Sequence, residues 1–182
     1  MTSSSPSPTR VDMANPSQWL AVLRIVVGIW FVKALWSKMA FVLLGGFFPF
    51  IGASPRWVAT MPDLVTKQAA QNPLLWYKGF LEQTVLTHSA LFAQFTAWGE
   101  VLVGLSLVLG CLAGLGALGG LWLSVNYGLA SAHMSSAALG FHYMLVICMV
   151  VLFFARSGRA WGLDAWIVWR WPGSLLARRP FS

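Results

Sequence analysis

Charge is what this chain has least of. Of its 182 residues only 9% are Asp, Glu, Lys or Arg while 58% are hydrophobic, and the mean hydropathy is +0.70. A soluble domain carries about 25% charged residues because its surface must meet water. The shortfall excludes an ordinary water-soluble domain and leaves lipid as the medium for most of the surface. Cysteine is nearly as scarce. Cys111 and Cys148 lie inside apolar runs, without CxxC or Cys/His metal spacing. They read as small buried hydrophobes, and no metal is expected. The absence of CxxCH excludes covalent haem. P-loop, GxGxxG and HExxH motifs are also missing, and Asp63, Glu82 and His88 are too scattered for a hydrolytic site.

Acidic residues number 5 against 12 Lys and Arg, giving a formal net charge of +7. The arginines gather late, at Arg156, Arg159, Arg170, Arg178 and Arg179. In a chain this apolar, that bias fits the positive-inside rule better than phosphate recognition, so nucleic acid is not an expected partner.

What the chain does have is long apolar runs. Crossing about 30 Å of hydrocarbon takes about 20 such residues. A Ser- and Pro-rich stretch, residues 1–18, reads as a flexible tail without the pattern of a cleaved leader. A first crossing starts near Trp19, and the broken run FVLLGGFFPFIG after it reads as the helix end followed by a turn or a shallow re-entrant piece. Residues 54–88 mix charge with aromatics and prolines, as short amphipathic helices on a membrane surface do. Two further crossings fit between Ser89 and Ala132, reversing at GCLAGLG, and a fourth starts within HMSSAALG and ends at Arg156. GxxxG spacings at Gly110/Gly114 and Gly116/Gly120 favour close helix packing.

The expected fold is therefore an all-α integral membrane protein. A four-transmembrane-helix bundle fills residues 19–155, with short amphipathic helices between helices one and two. Both termini fall on one side. The arginines make that side cytoplasmic, residues 54–88 face outward, and the basic, Trp-rich tail at 156–182 lies on the inner leaflet.

Charges at bilayer depth rarely stand without a partner or a task. Arg24 and Glu100 fall at similar depths when helix ends are counted from Trp19 and His88, so they form the expected intramembrane ion pair. That pair reads either as a packing device or as part of a proton path or quinone pocket. A second group collects toward the outer face: Lys33 and Lys38 on helix one, His88, His133 and His142 at the ends of helices two, three and four, and Asn126 and Tyr127 deeper on helix three. These residues could hydrogen-bond the two carbonyls of a quinone or pass protons near neutral pH. They read equally as snorkelling lysines and headgroup-level histidines.

The opening LRIVVGIWFVKALWSK (Arg24, Gly28, Lys38), the Glu100, Gly104, Gly110 pattern and the closing RSGRAWGLDAW (Arg156, Gly158, Arg159, Gly162, Leu163, Asp164) resemble the DoxX/DoxD-like membrane proteins. The resemblance runs from about Trp19 to Asp164. It implies a four-helix bundle and, in its DoxD branch, a small subunit of thiosulfate:quinone oxidoreductase, with quinone as electron acceptor. It also implies the cytoplasmic (inner) membrane of a bacterium or archaeon, and one or more other membrane subunits as partners. The alternative expectation is a non-catalytic accessory subunit of a larger respiratory or photosynthetic complex.

Overall fold

The computed structural model describes residues 15–44, 47–178 and 180–181; the first 14 residues of the expected tail, Gly45, Gly46 and Arg179 lie outside them. The described chain is mostly helical. Helix α1 (Pro16–Val32) continues past Lys33 as a further turn, α2 (Ala34–Ser37). Strands β1 (Met39–Leu44) and β2 (Phe48–Ala53) follow, then α3 (Pro55–Ala70) and α4 (Leu75–Phe80). A π-helical turn at Leu81–Val85 leads to α5 (Ser89–Leu109), α6 (Ala113–Ser131) and α7 (Ser136–Phe154). A 3-10 turn at Ser157–Arg159 leads to α8 (Leu163–Arg170), and a further 3-10 turn spans Leu175–Ala177. Three stretches are long and apolar enough to cross a membrane: Pro16–Ser37, Ser89–Leu109 and Ser136–Phe154. Helix α6 packs between α5 and α7.

Two expectations change. The fold is not all-α, and residues 41–52 neither extend the first helix nor re-enter as helix. They form most of an antiparallel hairpin, with Met39 opposite Ala53 and Leu43 opposite Pro49. Val, Ile and Phe favour a pleated surface over a helical one, and a Gly-Gly pair between two such runs is a hairpin signal. The Ser54 amide donates to the Lys38 carbonyl at 2.7 Å, and the Ala53 amide to Gln94 Oε1 at 2.8 Å. These bonds return the chain to the end of α2 and fasten it to α5. Helix α3 starts there with Pro55 in its first turn and the Ser54 hydroxyl accepting from the Trp57 amide. Its buried residues Met61, Val65 and Ala69 recur at helical spacing and face the helical body.

Helices α1 and α5 run antiparallel and close. A Cβ at Gly28 would stand 2.8 Å from the Val108 nitrogen, and one at Gly104 would stand 2.5 Å from the Val32 nitrogen. Neither position has room for a methyl group. On α6, Gly116 admits the Ser106 side chain and Gly120 admits Met149, so the GxxxG spacing is used for packing inside the chain.

The turn from α5 to α6 is tight, with Gly110 at φ +61° and Leu112 at φ +52°. It is capped from far along the sequence. Asp164 Oδ1 accepts the Leu112 amide at 2.7 Å and Oδ2 accepts the Ala113 amide at 2.9 Å, which places a carboxylate on the N-terminus of α6. Burial pushes the Asp164 carboxyl above its ordinary range, and those two amides with the nearby arginines pull it back. Arg24 is fully buried beside this turn and donates through Nη2 to the Trp161 carbonyl at 3.1 Å. The start of α1, the α5–α6 turn and the segment before α8 thus meet at one end.

The glycine seam is testable. Gly28→Ala and Gly104→Ala should each destabilise the protein by about 1–3 kcal/mol through overpacking. Gly79→Ala and Gly140→Ala, where nothing lies within 4 Å, should be neutral or slightly stabilising. Unfolding of the purified variants in mixed detergent micelles measures both.

Candidate functional site

The hairpin and α3 create a site at the other end of the α1–α5 pair. Lys38, just past α2, puts its Nζ 2.7 Å from Glu100 Oε1 on α5. The Tyr127 hydroxyl of α6 donates to the same oxygen at 2.5 Å. The Lys38 ammonium also lies 4.3 Å from the ring centroid of Trp57, which α3 delivers, and 5.7 Å from that of Tyr127. A desolvated cation on aromatic faces gains about 2 kcal/mol. Trp57 is fixed in turn by its indole N–H, which donates to the Ala93 carbonyl at 3.2 Å. Both contacts to Glu100 fall on Oε1, so Oε2 keeps its acceptor capacity among the described residues.

The expected Arg24–Glu100 ion pair does not form. The α1–α5 register sets Gly110 beside Arg24 and Val32 beside Gly104. Glu100 is ten residues from Gly110, or about 15 Å along the axis. Counting depth from the apparent ends of two apolar runs missed this offset. The correct partner, Lys38, lies where the antiparallel register continues past Val32.

Lys38, Glu100 and Tyr127 line a cavity of about 420 Å³, walled by Trp30, Phe31, Trp57 and Phe141. Lys33 and His142 line it too. The Lys33 ammonium sits 4.3 Å from the Trp30 ring centroid and remains exposed. It is the cation of this cavity without a carboxylate partner among the described residues.

A second cavity of about 340 Å³ lies between α6 and α7. Its walls are mainly apolar, with Ser124, His133 and His142 among them. The Ser124 hydroxyl, both ring nitrogens of His133 and Nδ1 of His142 are buried without a hydrogen-bond partner. Buried polar groups are usually paired, so several orphans around one cavity form a distinct pattern. His142 lines both cavities. Its Nε2 is 3.0 Å from Ser131 Oγ, which donates its one proton to the Tyr127 carbonyl at 2.7 Å. In that arrangement Nε2 carries the histidine proton, and Nδ1 is the acceptor left over.

Five of the residues expected to bind quinone or substrate therefore divide. Lys33, Lys38 and His142 share the first cavity, and His133 joins His142 at the second. Asn126 lines neither: its Nδ2 donates to the Trp122 carbonyl at 2.8 Å, and its own carbonyl accepts from Tyr77 at 2.9 Å. Burial pushes the Tyr77 phenol up to about 12, which keeps it a donor at any working pH. Sequence reasoning grouped Tyr127 with the outer-face cluster but missed Trp57 and Ser124 as site residues; Trp57 had no signal without the hairpin.

Comparison with family models, with curated proteins and with solved structures finds no match to this chain.

A double-mutant cycle tests the pairing. Lys38→Met alone should cost about 3–5 kcal/mol by leaving a carboxylate unpaired in a nearly dry site, and adding Glu100→Gln should recover most of that loss. Arg24→Met and Glu100→Gln should instead be additive within about 0.5 kcal/mol. Equilibrium unfolding of the single and double variants decides both.

Proposed function

We propose that the chain is a four-crossing helical membrane protein of the DoxX/DoxD-like kind that passes electrons to quinone, as in thiosulfate:quinone oxidoreductase. Helices α1, α5, α6 and α7 are the crossings in this reading. Exposed Trp19, Trp161, Trp166, Trp169 and Trp171 at the end where α1 begins and α7 ends, and exposed Trp36 and Trp76 toward the other, fit two interfacial belts. The basic tail then faces the cytoplasm of a prokaryotic inner membrane, and the hairpin with α3 and α4 faces outward.

The observation that carries the redox reading is the set of orphaned groups around the α6–α7 cavity. A quinone ring is apolar with two carbonyl acceptors. His133 and Ser124 supply donors for both in a wall that is mainly hydrophobic, and His142 Nδ1 is an acceptor for the hydroxyl of the quinol. Reducing quinone to quinol takes two electrons and two protons. Coupling two thiosulfates to one tetrathionate releases two electrons and no proton. The protons must therefore be drawn from solvent and relayed through the protein, and His142, which lines both cavities, is suited to pass them from the Glu100–Tyr127 side. Lys33 is the group that would draw a dianion to the first cavity, since the charge of Lys38 is already met by Glu100.

The second reading is an accessory subunit of a larger membrane complex. It is favoured by the mutual satisfaction of Lys38, Glu100 and Tyr127, which is how a packing device looks.

His133→Leu and His142→Leu separate the two. On the redox reading, each lowers the quinone retained after mild detergent extraction at least tenfold while the protein still assembles. Chromatography of the extracted lipids measures it. Unchanged quinone in both variants contradicts the site. Quinone-free protein recovered in fixed ratio with a large complex establishes the accessory reading.

A further inference from the structure

The end of the molecule where α1 begins and α7 ends carries a third cavity, remote from Lys38 and the histidines. It is a cleft of about 500 Å³ between the start of α1 and the turn after α7. Asn15, Ser17 and Gln18 form one wall, and Arg156, Ser157 and Arg159 form the other. No acidic residue lines it among the described residues. The carboxylate of Asp164, in the same segment as this wall, is engaged by the Leu112 and Ala113 amides.

Arg156 and Arg159 give the cleft two cationic side chains, while the N-terminus of α1 and the C-terminus of α7 both border it, so their dipoles offset. The Ser157 residue is 3% exposed, and its hydroxyl has no hydrogen-bond partner; neither has the buried Nε of Arg159. Nη2 of Arg159 is held by the Ala177 carbonyl at 2.9 Å, so the guanidinium is positioned while part of its donor capacity is unused. Asn15 spends its side-chain oxygen on the helix cap, accepting from the Ser17 amide at 3.1 Å, which leaves its amide group as a donor at the rim. A hydroxyl and a guanidinium together match the oxygens of a phosphate ester.

The surroundings indicate where that phosphate comes from. Trp19, Phe154 and Trp161 are 64%, 61% and 62% exposed, and they stand where the first apolar helix begins and the last one ends. This is the level at which tryptophans meet lipid headgroups. We propose that the cleft is a seat for a phosphate-bearing anion, filled in the bilayer by the headgroup of an acidic phospholipid.

The test is thermal unfolding of the full chain in a neutral detergent at fixed ionic strength. The additions are dioctanoyl phosphatidylglycerol, dioctanoyl phosphatidylcholine and inorganic phosphate. Phosphatidylglycerol should stabilise saturably and phosphatidylcholine should not. Arg159→Gln should weaken the apparent affinity for phosphatidylglycerol about fivefold to tenfold. Because Arg159 also holds Ala177, Ser157→Ala serves as the second variant. Removing a buried hydroxyl that has no partner should leave the lipid-free protein as stable as before or more so, yet weaken lipid binding at least threefold. Phosphate acting as strongly as phosphatidylglycerol supports the site and assigns it to a soluble phosphate. Equal stabilisation by both lipids overturns the proposal, as does an unaltered phosphatidylglycerol response in the two variants.

Discussion

The close antiparallel contact of α1 and α5 is the constraint on which the rest of the structure depends. Gly28 and Gly104 let two backbones approach where any side chain would collide. In lipid this kind of packing, rather than hydrophobic exclusion, holds helices together. Once the two helices are in that register, the charged residues beyond the seam have no freedom in their partners. Arg24 meets Gly110 and the Trp161 carbonyl at one end, and Lys38 meets Glu100 at the other. The two charge centres that sequence reading joined into one pair are the two ends of a single helix contact.

Each end then gathers a further element. At the end where α1 begins, Asp164 caps α6 and ties the segment around α8 to the α5–α6 turn. At the opposite end, the hairpin turns the chain back so that Trp57 covers Lys38. The cavity beside Glu100 exists because of that return. The chemistry available there, a carboxylate shared by an ammonium and a phenol against aromatic walls, is distributed over elements distant in sequence. The α6–α7 cavity differs in kind: the Ser124 hydroxyl, both His133 ring nitrogens and His142 Nδ1 have no hydrogen-bond partner among the described residues, which suits a site that waits for a ligand.

Much of this was legible in the sequence where it depends on local pattern. The apolar runs gave the long helices, GCLAGLG the reversal between α5 and α6, and HMSSAALG the start of α7, which Ser135 caps by accepting from the Ala138 amide. Arg24, Gly28, Glu100, Gly104, Gly110 and Asp164, picked out as short motifs, are the residues that build the α1–α5 seam and its capped end. Register was not legible, because a run of apolar residues has no marked ends and an error of a few residues moves a charge by several ångströms. The hairpin was hidden for a related reason: FVLLGGFFPFIG has the hydrophobicity of a helix end, and only its β-branched and aromatic content favours strands. Lys33, Lys38, His133 and His142 were grouped by depth alone, and depth does not say which face of a helix a residue occupies.

The central functional claim is that a quinone occupies the cavity between α6 and α7. Photolabelling in liposomes with a light-activated quinone analogue, followed by mapping of the adducts by mass spectrometry, tests it most directly. Adducts should concentrate on the peptides that carry Ser124 to His133 and Leu139 to Val146, and excess unlabelled quinone should suppress them. Adducts that follow lipid exposure instead, on Trp36, Phe154 or Trp169 for example, and resist competition would contradict it.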